Sequence, residues 1–143
     1  MKKLVIVLLS FMNLSVIAEC IEDLGVSDVF GSHEQLKHIQ EEIQTNECEF
    51  IQIKWSNKTS QGDMIRRMIA LDLNEGVMMR ARIWPHGEAT WESWYGFNKS
   101  VVLNDDPSDG FNLPNYTTSF DKSRLSKELN KAFKQFRQEY GSQ

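Results

Sequence analysis

Side chains able to move protons or hold a metal are few and scattered in this 143-residue chain, whose only histidines are His33, His38 and His86. His33 and His38 are five residues apart, so on a helix they leave different faces and do not close on one ion. His86 falls in the turn sequence Pro85-His86-Gly87. Glu88 and Glu92 supply the two carboxylates that a glycosidase needs, yet nothing in their spacing forces them into a cleft. Asp105, Asp106 and Asp109, followed by Gly110, carry part of the acid content of a calcium loop. They lack its alternating oxygen ligands and its final bidentate Glu, so a solvated turn is the better reading. There is no G-x-S-x-G, no H-E-x-x-H and no phosphate-binding glycine loop. The expectation is a protein that is not an enzyme, with no catalytic residue, no metal and no cofactor.

A covalent link is expected between Cys20 and Cys48, the only two cysteines. Lys2 and Lys3 precede an apolar run from Leu4 to Leu9 that continues through Phe11, Met12 and Leu14, and Val16-Ile17-Ala18 places small or aliphatic residues before a cleavage point. That is the pattern of a cleavable signal peptide over residues 1–18. A lipid-attachment signal competes, but it needs a small residue before its cysteine, and Glu19 stands there. Export to the periplasm places both cysteines in an oxidising compartment, where a pair becomes a disulfide. Closing that loop contributes about 3–4 kcal/mol in the chain-entropy model. The pair lacks C-x-x-C spacing, so its role is structural and not redox.

Residues 19–143 make one globular domain of ordinary size. Loss of Lys2 and Lys3 leaves 14 basic against 20 acidic residues, a net charge of minus six that makes nucleic acid an unsuitable partner. No later segment approaches membrane-spanning length, so no membrane is expected to be a partner after signal cleavage.

The elements that must position these groups follow from periodicity. Ser32 caps a helix to about Gln44, with Leu36, Ile39 and Ile43 as a narrow apolar stripe. Residues 19–49 hold nine acids against Lys37, an acidic lobe that is a solvated face or a docking surface for a basic protein. Ile51, Ile53 and Trp55 alternate with Gln52 and Lys54 in a strand. A second strand places Ile65, Arg67, Ile69, Leu71 and Leu73 on one side. After Asn74-Glu75-Gly76, a third places Val77, Met79, Ala81 and Ile83 on one side. A fourth alternates Ala89, Trp91, Ser93, Tyr95 and Phe97 with Thr90, Glu92, Trp94 and Gly96. Residues 104–118 read as a long irregular loop. Leu125, Leu129, Ala132, Phe133 and Phe136 mark a closing helix, capped by Asp121 or Ser123 and stopped by Gly141. The fold class is α+β: a four-stranded antiparallel meander flanked by an N-terminal and a long C-terminal helix.

If the aliphatic side of the meander faces the core, the other side shows Met64, Arg66, Met68, Met78, Arg80, Arg82, Trp84, Glu92 and Trp94. Methionine, arginine and tryptophan are enriched at interfaces, whereas a solvated sheet face is mostly Lys, Glu and Thr. One reading makes Arg80, Arg82, Trp84, Glu92 and Trp94, or the loop acids Asp105, Asp106 and Asp109, a partner-binding surface. A second covers this face with a helix and pairs its arginines with Asp72 and Glu92. A third makes it a homodimer contact. Trp91 and Tyr95 share the parity of the apolar side and are assigned to the core.

From the Lys2-Lys3 signal to the Phe133/Phe136 helix, the general character of the chain resembles that of periplasmic immunity proteins that neutralise type VI secretion effectors acting on peptidoglycan. The resemblance implies an inhibitor that binds and blocks a basic, cell-wall-degrading effector. It rests on no diagnostic motif, so no residue role is carried over. The alternative is a periplasmic module that binds a small ligand or glycan through its tryptophan cluster.

Binding without turnover predicts that the isolated protein hydrolyses neither peptidoglycan nor simple esters; turnover that disappears in Glu92→Gln would promote the glycosidase reading instead.

Overall fold

The computed structural model describes residues 17–111, 117–119 and 125–140. Residues 1–16 of the expected signal peptide lie outside the described residues, as do the expected caps Asp121, Ser123 and Gly141. In chain order the elements are β1 (Glu19–Val26), α1 (Ser32–Asn46), β2 (Phe50–Lys58), β3 (Met64–Asp72), β4 (Val77–Ile83) and β5 (Ala89–Tyr95). There follow α2 (Lys99–Asn104), a 3-10 turn (Pro107–Asp109), β6 (Thr117–Ser119) and α3 (Lys127–Tyr140). The class is α+β, and the strands form one sheet in the order β1-β2-β3-β4-β5-β6.

The expected meander is β2 to β5, every neighbour antiparallel. The sheet is nevertheless wider and mixed, because β1 runs parallel to β2 at one edge and the three-residue β6 joins β5 at the other. β1 escaped detection because it carries no apolar stripe. Glu19, Glu22 and Asp23 alternate among Cys20, Ile21 and Leu24, and backbone pairing alone recruits an edge strand of this kind. Pairing begins before Glu19, since the Ala18 carbonyl accepts from the Glu49 and Phe50 N–H groups. The stretch read as an irregular loop holds the 3-10 turn and β6 as well.

Each face of the sheet has its helix. On one, Leu36, Ile39 and Ile43 of α1 pack on Ile51, Ile53, Ile69, Leu71, Met78 and Trp94. On the other, Leu129, Ala132, Phe133 and Phe136 of α3 pack on Met68, Ala70, Val77, Met79, Ala81 and Ile83. The start of α3 is capped by Ser126, whose Oγ accepts from the Leu129 N–H at 3.2 Å. That is the serine N-cap geometry, reached a few residues later than expected.

This arrangement corrects the single interface-like face. Asp72 pairs with Val77 across a four-residue loop, so odd-numbered β3 residues stand opposite even-numbered β4 residues: Ile69 faces Arg80, and Arg67 faces Arg82. Shifting a register by one residue moves a whole set of side chains to the other face. Arg66 and Met68 therefore belong to the α3 face, while Met78, Arg80, Arg82, Glu92 and Trp94 share the α1 face with Ile53, Ile69 and Arg67. Trp91 and Tyr95 lie half-buried against the α3 cluster, on the side assigned to them.

Two links hold α1 to the edge strand. Cys20 of β1 is bonded to Cys48, just after α1, with their Cα atoms 5.9 Å apart, and His38 Nε2 sits 2.9 Å from Glu22 Oε1. Among the described residues no cysteine is free and no helix is long and apolar enough to cross a membrane. Cys20→Ser/Cys48→Ser is expected to cost about 3–4 kcal/mol in denaturant unfolding, from the loop entropy returned to the unfolded chain. Thiol titration of the native protein should find no free sulfhydryl, and two reactive thiols would overturn the pairing.

Candidate anion-binding site

α1 is shorter than the face it covers. Beyond its first turn, the sheet row Trp55–Arg67–Arg82–Thr90 and its neighbour Ile53–Ile69–Arg80–Glu92 run on under the β1–α1 connection. Three arginines from two adjacent strands thus meet at the floor of a cavity of about 290 Å³, walled by Phe30, Gln35, Trp55 and Asn57. Phe30 and Trp55 meet edge to face with ring centres 5.0 Å apart, an arrangement favoured by the aromatic quadrupole.

Each guanidinium is held by neutral groups. Arg67 Nε donates to Asn57 Oδ1. Arg80 Nη2 donates to Gln35 Oε1 at 3.2 Å, and its Cζ lies 5.9 Å from the Trp94 ring centre and 5.6 Å from that of Phe111. Arg82 stacks on Trp84 at 5.6 Å. Among the described residues none of the three makes a salt bridge; the arginine that does is Arg66, with Asp23 at 3.3 Å on the edge-strand side. Of the acids that pairing across strands was expected to use, Asp72 is buried and caps its own turn by accepting from the Glu75 N–H. Glu92 stands opposite Arg80 on the neighbouring strand.

Burial pushes the Arg80 guanidinium below the usual arginine value, and the charge of Arg82 adds to this, with Glu92 opposing. Arg67 shifts the same way, through burial first and Arg82 second. A base whose folded value is lowered is less willing to carry its charge folded than unfolded. At neutral pH, below the folded value, that deficit is fully present, and it fades only as the pH rises through that value. The three arginines therefore form a cationic cluster whose partial burial costs the folded state some stability.

The start of α1 lies at the cavity: its N-cap, Gly31, gives no side-chain cap, Gly31 and Ser32 line the cavity, and the positive dipole end of the helix is offset by the Glu34 carboxylate in its first turn. Gly110 fixes this end of the helix. A Cβ there would stand 2.8 Å from Ser32 Cβ, and the residue has a φ of +62°, so only glycine lets the turn after Pro107 seat on the first turn of α1.

The expected partner-binding residues divide accordingly. Arg80 and Arg82 lie in the cavity, Trp84 is half-buried beside it, and Glu92 is exposed. Trp94 is corrected from a surface contact to core, being only 6% exposed under α1. Asp106 turns inward on its own 3-10 turn, accepting from the Ser108 N–H and hydroxyl, and those bonds hold its carboxyl below the usual range. Asp105 Oδ1 accepts from the Asp106 N–H; the Asp109 side chain lies outside the described residues. Glu88, half of the glycosidase pair, sits 3.1 Å from His86. Arg67, read as part of an apolar stripe, was the arginine that sequence missed. Its charge within the Ile65–Ile69–Leu71 run was the available signal, but its partners depend on the loop parity.

No protein-family model, curated protein or solved structure matches this chain.

Arg82→Gln keeps most of the side-chain stem, loses one stacking contact and removes repulsion from two neighbours. It should raise the melting temperature by a degree or two in anion-free buffer, the response to a fraction of 1 kcal/mol in a domain of this size. A fall in melting temperature would show that the cluster is not strained.

Proposed function

We propose that this chain is an exported binding protein that works by capture and not by turnover, and that it grips an anionic group of its target in the arginine pocket. The observation that carries the reading is the convergence of Arg67, Arg80 and Arg82 in one cavity with no salt bridge among the described residues. Like charges directly opposite on a sheet are destabilising, and arginine forks match the oxygens of carboxylates and phosphates. The disulfide fits an oxidising compartment such as the periplasm.

A second reading, an immunity protein that blocks a cell-wall-degrading effector, is favoured by the Arg82–Trp84 pair at the cavity. Arginine and tryptophan are the residue types that most often anchor protein interfaces. In that role an acidic side chain projecting from the effector fills the hollow, and the acid-rich remainder of the surface speeds encounter with a basic partner.

Anion capture is tested by thermal unfolding in sulfate against chloride at equal ionic strength. At ten times its dissociation constant, sulfate stabilises by about 1.4 kcal/mol, and Arg80→Gln or Arg82→Gln should abolish the effect. Equal melting curves in the two salts would sink it. The effector reading is tested by capturing secreted hydrolases on the oxidised chain. It expects inhibition that is lost in Arg82→Gln, and falls if no captured hydrolase is inhibited.

A further inference from the structure

The shape of the pocket says more than its charge. A cavity of about 290 Å³ approaches the size at which pockets hold compact organic ligands and exceeds what a bare inorganic anion fills. Trp55 shares the sheet floor with the arginines, directly across from Arg67, and Phe30 of the β1–α1 connection meets it edge to face at the wall, beside Asp28, whose carboxylate accepts from the Lys58 N–H. Three fixed guanidiniums give direction as well as charge. Arg80 lies within 6 Å of two aromatic ring centres, 5.9 Å from Trp94 and 5.6 Å from Phe111, and is tied at Nη2 to Gln35; Arg67 is tied at Nε to Asn57, and its two terminal nitrogens have no hydrogen bond among the described residues. Held in this way, the forks lose little entropy on binding and favour an oxyanion with two oxygens to offer.

Resting on the anion-capture reading above, we propose that the pocket binds a small organic oxyanion: a carboxylate or phosphate carried on a flat apolar body about the size of one ring. The charged end meets Arg67, Arg80 and Arg82, and the flat body lies against Phe30 and Trp55.

Titration calorimetry on the oxidised chain with benzoate, phenyl phosphate, sulfate and benzamide separates the possibilities. Benzoate or phenyl phosphate should bind at least tenfold more tightly than sulfate and at least tenfold more tightly than the neutral benzamide. Whichever of the first two is stronger identifies carboxylate or phosphate as the preferred head. Arg67→Gln and Arg82→Gln should each weaken that ligand at least tenfold. Trp55→Leu should weaken it while leaving sulfate unchanged. Arg82→Gln is the variant expected to fold best, and Arg82→Lys, which keeps the charge and loses the fork, gives a second test of geometry if Arg67→Gln fails to fold. Sulfate binding as tightly as the ring-bearing anions would overturn this proposal and leave anion capture standing. Benzamide binding equally well would overturn it in favour of an apolar site, and the absence of binding by any of the four would remove both readings.

Discussion

The pairing of Asp72 with Val77 across the four-residue loop Leu73–Gly76 is the constraint on which the rest of this structure depends. Because the loop has an even number of residues, it sends the aliphatic side of β3 to α1 and that of β4 to α3, so both faces of the sheet acquire a core. Gly76 takes a φ of +70° to complete the loop, and its carbonyl accepts from the Gly96 and Phe97 N–H groups, which locks the far end of β5 to the same turn. A register one residue out of phase would return Ile69 and Val77 to one side and put Arg66 in place of Arg67 beside Arg80 and Arg82.

The same register sets Arg67 directly against Arg82, with Arg80 one row away. A fold selected for stability alone has no reason to collect three guanidiniums where none has a salt bridge among the described residues, and a few such departures from local consistency are expected where a protein meets its target. Aromatic stacking and amide acceptors hold the three in place without neutralising them. That is the arrangement the proposed capture of an anion calls for, with the guanidiniums held in place beforehand.

The cover over this site is built on the β1 edge of the sheet. β1 is an edge strand, its pairing with β2 is irregular between Asp23 and Val26, and the connection that follows carries Ser27, Asp28 and Phe30 across the cavity. The Cys20–Cys48 bond, the His38–Glu22 contact and the Asp28 carboxylate, which accepts from the Lys58 N–H, tie that cover to α1 and β2. Near the cavity the wall is held locally: the Ser27 N–H donates to the Ser56 carbonyl, Asp28 accepts from the Lys58 N–H, and Phe30 packs edge to face on Trp55.

Periodicity by itself determined α1, β2 to β5 and α3, because each buries a regular stripe against one neighbour and that need is written locally. The cysteine count and the expected export determined the covalent pair. Tertiary structure alone decided β1, whose pairing uses backbone groups that every sequence has. It alone decided which faces the strands share, because loop parity and not strand composition sets it. It also decided the site: Arg80 and Arg82 were legible as unusual residues on a sheet, but Arg67 joined them, and Trp94 left the surface, only when the register placed charge opposite charge and α1 closed over the ring. A strand's sequence records its alternation and not its partner's phase, and the arginine-floored cavity of this protein is made of that phase.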